Sequence, residues 1–216
     1  VADVLAALEK KAARLRELQS RAERLAALDG EIACNQARVQ ERAAALSRDR
    51  QSAAVRLARA ITRELRDLGF AKAAFEVALA PRDPGPTGAD TVAFRFAPNP
   101  GEPASALRDI ASSGEIARVM LATKSVLAEH DRIPVLIFDE IDANVGGEIG
   151  RAVGRKLRAL AETHQVVSIT HLPQVAAYGH SHFAVAKRTQ NGRTCATIAA
   201  IDAEQRAAEL ARMLGG

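Results

Sequence analysis

The chain has 216 residues, enough for one domain or two, with 48% apolar residues, 3% aromatics, no tryptophan and a net charge of +4. Alanine inflates the apolar fraction, which favours helix over thick β-architecture, and purely aliphatic or aromatic runs such as Val135 to Phe138 are far too short to cross a membrane. No basic segment precedes an apolar one at the start, so no secretory signal is read; Cys34 and Cys195, 161 positions apart without metal-ligand spacing, are expected to be reduced, packed thiols of a cytosolic protein.

The opening Val is consistent with a fragment or a processed form. From Val1 to about Leu68 there is no proline and one glycine, Gly30. Leu5, Leu8, Ala12, Leu15, Ala22 and Leu25, then Val39, Ala43, Leu46, Ala53, Leu57, Ile61, Leu65 and Leu68, recur at spacings of three and four. This predicts an amphipathic helix with a narrow apolar seam, about 100 Å long if continuous, that needs a coiled-coil partner. The partner is another chain, a segment outside this one, or the same segment folded back at Asp29-Gly30. Residues 1 to 80 hold 15 basic and 11 acidic side chains, so the charge excess belongs here. Arg56, Arg59, Arg63 and Arg66 share one helix face away from the seam. They are either the solvated outer face of a coiled coil or a stripe that follows the phosphates of double-stranded DNA. No aromatic residues interleave for stacking on single strands.

The pattern changes at Gly69. "FEVALA" (75–80) and "TVAFRFA" (91–97) alternate with period two around "PRDPGPTGAD", which predicts a β-hairpin with a loose tip. Next come a helix from about Ser113 to His130, a strand from Pro134 to Asp139, a helix from Gly147 to Thr163 and a strand from Gln165 to Thr170. A second hairpin around "TQNGRT" and a closing helix from Ala203 to Leu214 complete the chain. The strand–helix–strand alternation implies a parallel sheet, and so an α/β fold.

Three stretches in this lobe bear on chemistry. "SSGEIARVMLA" has the Ser-x-x-Glu of a capping box, Ser112 with Glu115; the same helix start, with Ser113 and Gly114, also suits a phosphate. In "VLIFDE", four apolar residues suit a strand buried on both faces. Its C-terminal end is where α/β sheets place ligands. Asp139 there could hold magnesium and Glu140 could orient or deprotonate a water, although acids after a buried strand are often only a surface turn. In "VVSITHLPQVA", His171 leaves the next strand; a histidine there is more often structural, but adjacent parallel strands would bring it near the carboxylates. A phosphate-cradling loop, G-x-x-x-x-G-K-[ST], is absent, since none of the 14 glycines precedes a lysine.

In order and spacing these stretches resemble the C-terminal lobe of an ABC-type ATPase head. "SSGE" is similar to its signature motif, "VLIFDE" to its Walker B, "IDANVGG" to its D-loop and "ITH" to its switch histidine. More narrowly, "FRFAPNPGEP", "ASSGEIARVMLATK", "THLPQVAAYG" and "ARMLGG" resemble the RecN family of bacterial DNA repair proteins, relatives of the SMC proteins.

The resemblance implies a split head, with residues 1–68 as a coiled-coil arm and 69–216 as the C-terminal lobe. A Walker A lobe elsewhere in the same protein would hold ATP. Asp139 would then ligate Mg2+, Glu140 activate water and His171 contact the γ-phosphate. Ser112, Ser113, Gly114 and Glu115 would face nucleotide on a second copy, with Asp142 coupling the two sites. It further implies ATP-driven head dimerisation on DNA in double-strand break repair, no membrane, a cytoplasmic, nucleoid-associated location, and inactivity of this segment alone. One departure is Ser113, where the family signature usually has glycine. The rival readings are a coiled-coil scaffold whose lobe only docks partners and part of another ABC-type ATPase.

Overall fold

The computed structural model describes residues 2–110, 112–190 and 193–215. Helix α1 (Ala2–Asp67) runs without a break, so the expected alternative of a fold-back at Asp29-Gly30 is not taken. One glycine costs about 1 kcal/mol in a helix, too little to end one built otherwise of alanine, leucine, arginine and glutamate. A Cβ at Gly30 would meet nothing, so no packing contact requires a glycine there.

The chain divides into two compact units. The first comprises residues 1–52 and 79–91. In it Leu5, Leu8, Leu15, Leu25 and Val39 of the α1 seam are exposed, whereas Ala43, further along the seam, is buried. The ends of β1 (Ala74–Gly85) and β2 (Gly88–Ala97) belong here too, joined through Pro86 and Thr87. The loose tip expected at 81–90 is therefore strand. Pro81 and Pro84 lie on β1, which is an edge strand among the described residues, the position where a sheet best tolerates proline. Helix α1 holds this tip: Ser47 Oγ donates to Asp90 at 2.8 Å, and Arg50 donates to Asp90 at 3.1 Å and to the Thr87 carbonyl at 2.8 Å. Gly88, at φ +91°, lies so close to Leu46 that a Cβ would be 2.7 Å from its Cδ2.

The second unit, 53–78 and 92–216, holds the core. Ile61 and Leu65 from the end of α1 and Leu68 just after it are fully buried and pack with the buried Phe70, Phe75 and Phe96, the rings of Phe70 and Phe96 meeting edge to face at 5.2 Å. β3 (Ser105–Ala106) adds to β2 and leads through a short 3-10 turn (Leu107–Asp109) to α2 (Ser113–Leu127). β4 (Val135–Phe138), α3 (Gly147–Leu160) and β5 (Gln165–Ser168) form the expected strand–helix–strand unit, and β4 and β5 pair in parallel from Val135↔Gln165 to Phe138↔Ser168. α2 packs on α3, and α3 on α4 (Pro173–Ala176). β6 (His182–Gln190) and β7 (Arg193–Ile201) form the second hairpin, and α5 (Ala203–Met213) closes the chain. Asn191 and Gly192, in the expected "TQNGRT" turn, lie outside the described residues.

Three expectations change. β4 is not buried on both faces: Leu136 and Phe138 enter the core, whereas Val135 and Ile137 are exposed, Ile137 at 68%. Among the described residues the parallel sheet has two strands, with α2 and α3 supplying core contacts on one face. Cys34 and Cys195 are free but exposed, not packed, because the first sits on the uncovered part of α1 and the second on a two-stranded hairpin. At α2, Ser112 accepts from the Glu115 N–H at 3.3 Å, which is half of the expected capping box; among the described residues the reciprocal pair forms only at α5, between Asp202 and Gln205.

Candidate functional site at the ends of the parallel strands

Parallel pairing in register brings the C-terminal ends of β4 and β5 side by side, and the ladder extends one step further where Ile169 N–H donates to the Phe138 carbonyl at 2.9 Å. Beyond it the backbone turns sharply. Ile141 drops into the core, fully buried, and Glu140 before it takes the left-handed region at φ +55°. A β-carbon is disfavoured there, and such residues cluster where function demands a fixed side-chain direction. Asp139 and Glu140 both face solvent.

Asp142 is only 1% exposed and ties this turn to the end of β5. Its Oδ2 accepts from the Thr170 hydroxyl, from the backbone N–H of His171 at 2.9 Å and from that of Leu172 at 3.1 Å. The His171 Nδ1 lies 3.2 Å from the same oxygen, while 72% of that side chain stays exposed. The structure therefore brings Asp142 and His171 into direct contact, on a segment that begins one strand away from Asp139.

The start of α2 packs on the same turn. A Cβ at Gly114 would be 2.9 Å from the Ala143 Cβ and 3.2 Å from the Glu140 carbonyl, so close approach alone demands glycine here. The Ser113 hydroxyl donates to the Glu140 Oε2. Four turns of α2 then run past β4, leaving a groove of about 400 Å3 whose lining includes Ser113, Met120, Ile137 and Asp139.

Arg118 was not singled out from the sequence. It is 6% exposed, stacks over the Phe70 ring at 5.1 Å, and donates to the carbonyls of Ile141 at 3.4 Å and Ala143 at 3.0 Å. Burial lowers its basicity, and the nearby Glu115 carboxylate partly restores it. The signal was available: Arg118 lies four residues after Gly114, on the helix face that the missing Cβ presses against the turn.

The four arginines lie together but apart from these acids. Arg56, Arg59, Arg63 and Arg66 are all exposed and line, with Thr62 and Phe75, a groove of about 640 Å3. Asp139, Glu140, Asp142 and His171 are not among its lining residues.

The Asp139 carboxylate makes no hydrogen bond or ion pair with another described residue, which leaves both of its oxygens for a cation. Among the described residues no cluster of three or more acidic, histidine or cysteine side chains could hold a metal. That donor set fits Mg2+, which is commonly held by one or two carboxylates together with nucleotide phosphates and waters.

Comparison with known proteins adds sequence and fold relatives. Over 217 residues, 99% of this chain, it is 40% identical to DNA repair protein RecN of Xylella fastidiosa (strain 9a5c), and over 219 residues, 97% of the chain, 40% identical to DNA repair protein RecN of Treponema pallidum (strain Nichols). It spans 39% and 38% of those proteins. The Smc head domain with a coiled coil and joint from Pyrococcus yayanosii superposes on 72% of the chain, and on 28% of that structure, with a TM-score of 0.54 at 18% identity. No family model matches.

Proposed function

The chain is a RecN-like segment with the fold of an SMC head, and on that premise we propose that it is the coiled-coil arm (1–68) and C-terminal head lobe (69–216) of an ATPase of DNA double-strand break repair. The observation that carries this is the meeting of Asp139, Glu140, Asp142, His171 and the Ser112–Gly114 helix start around one turn at the ends of two parallel strands. That is where α/β sheets bind ligands. The uncovered face of β4 and β5, with Val135, Ile137, Val167 and Ile169 exposed, supports a further lobe beside it, and we assign to that lobe the Walker A loop.

Within the completed head, Asp139 would hold Mg2+, which would supply charge neutralisation to the phosphates. Glu140 accepts a proton from the attacking water as the water oxygen bonds to the γ-phosphorus and the bond to the bridging oxygen breaks, leaving ADP and phosphate. His171 contacts the γ-phosphate, with Asp142 beside its Nδ1. Ser112, Ser113, Gly114 and Glu115 face nucleotide held by a second copy, so that ATP joins two heads and hydrolysis parts them. The arginines of α1 contact the duplex backbone, placing the protein in the cytoplasm on the nucleoid. Among the described residues no helix is long and apolar enough to cross a membrane.

The test is Glu140→Gln in the full-length protein. Loss of turnover by about 100-fold or more with retained ATP and stabilised head dimers is expected, since general-base catalysis contributes on that order. Wild-type turnover by this variant would overturn the assignment. The isolated 216-residue chain should show no turnover until the Walker A lobe is added, and activity without it would contradict the split site.

A further inference from the structure

We infer that Ser113 is a positioning residue that latches Glu140: in a separated head its hydroxyl holds the carboxylate, and contact with an opposing phosphate draws the hydroxyl away and frees it. The inference rests on the proposed role of Glu140 as base and of the α2 start as the surface presented to the second copy.

The geometry behind it has three parts. Ser113 is the first residue of α2, and its Oγ donates to the Glu140 Oε2 of the same chain. The two residues have little freedom to drift apart. Gly114 leaves no room between the helix start and the carbonyls of Glu140 and Ala143, while Arg118 grips the carbonyls of Ile141 and Ala143 from the next turn. Finally, the left-handed backbone at Glu140 directs its carboxylate to this side of the turn. A carboxylate whose Oε2 accepts from a hydroxyl has one oxygen fewer to offer a water. An anionic phosphate arriving at the helix start competes for the same hydroxyl, because the free N–H groups and dipole there favour negative charge. Engagement of the signature with one nucleotide would thus release the base that serves the other. A glycine at this position cannot make this hydrogen bond.

The latch is tested by steady-state ATP turnover of the full-length protein across a range of protein concentrations. Ser113→Ala keeps the Cβ and removes the hydroxyl, and leaves the Ser112 cap untouched. It should raise kcat about two- to tenfold at concentrations where heads are apart, the range expected for the net contribution of one ordinary hydrogen bond. KM for ATP should not move, and activity should depend less steeply on protein concentration. Ser113→Thr restores a hydroxyl and should behave as wild type, and Ser113→Gly should match Ser113→Ala. Unchanged or lower turnover in a folded Ser113→Ala protein overturns the latch, as does activation confined to Ser113→Gly, which would assign the effect to crowding by the Cβ. Glu140→Gln separates the two levels: if it retains wild-type turnover the base assignment itself fails, whereas its loss beside an unresponsive Ser113→Ala sinks the latch alone.

Discussion

Asp142 accepts two backbone N–H groups and a hydroxyl while almost fully buried, so its carboxylate joins the turn after β4 to the exit of β5. Asp142→Ala should lower unfolding free energy by about 2 kcal/mol, since donors lose a charged acceptor, and Asp142→Asn, which keeps one oxygen, by about 1 kcal/mol. Urea denaturation of the 216-residue chain measures both. Asp131 acts through charge instead. Its bond from the Lys124 side chain and another from the Ile133 N–H hold its carboxyl below the ordinary value of 3.8. A depressed folded value contributes stability that is present above the unfolded value and is lost as pH falls through the folded one. Asp131→Asn should therefore narrow the gap in urea midpoint between pH 5 and pH 2, and an unchanged gap would remove Asp131 from the account. Asp139, Glu140 and His171 were legible because acids and histidine at strand exits stand out against apolar runs. Arg118 was not, because an arginine within a helix reads as a solvated charge until its partners, here two carbonyls and a ring, are seen.

Helices α3 and α4 meet through missing side chains. A Cβ at Gly154 would lie 2.4 Å from the Tyr178 ring and 3.0 Å from the Gln174 carbonyl. Gly154→Ala should destabilise by about 1–3 kcal/mol, because a ring and a backbone carbonyl must both give way. A midpoint equal to wild type would show that the α3–α4 segment repacks freely. The helical character of α1 was legible from spacing, whereas its continuity through Gly30 was not, because a lone glycine after an aspartate also suits a turn. The β1–β2 tip was not, since prolines at 81 and 84 and a run of turn residues describe a loop locally. In the fold it pairs as strand and is held to α1 through Asp90, bound by Ser47 and Arg50 some forty positions earlier, a long-range interaction that local propensity does not contain.

For the molecule as a whole, the exposed faces are as informative as the core. The arginine groove predicts a salt-dependent, sequence-independent affinity for duplex DNA. Arg59→Glu with Arg63→Glu in the full-length protein should weaken it and lessen the slope of log affinity against log salt by about 2, near one unit for each phosphate no longer neutralised. Identical binding at low salt would assign these side chains to solvation of the coil. Periodicity, motif order and the spacing between acids, serine and histidine belong to the chain read locally, and they suffice for the α/β class, the helical character of α1 and most of the candidate site. The face of β4 that stays open, the clamp of Arg118 on the turn and the capture of Glu140 by Ser113 depend on which surfaces meet across tens of residues. Spacing along a chain records a helix or strand repeat, whereas the meeting of elements follows from packing and from burial of polar groups that must find partners, and no local pattern encodes those.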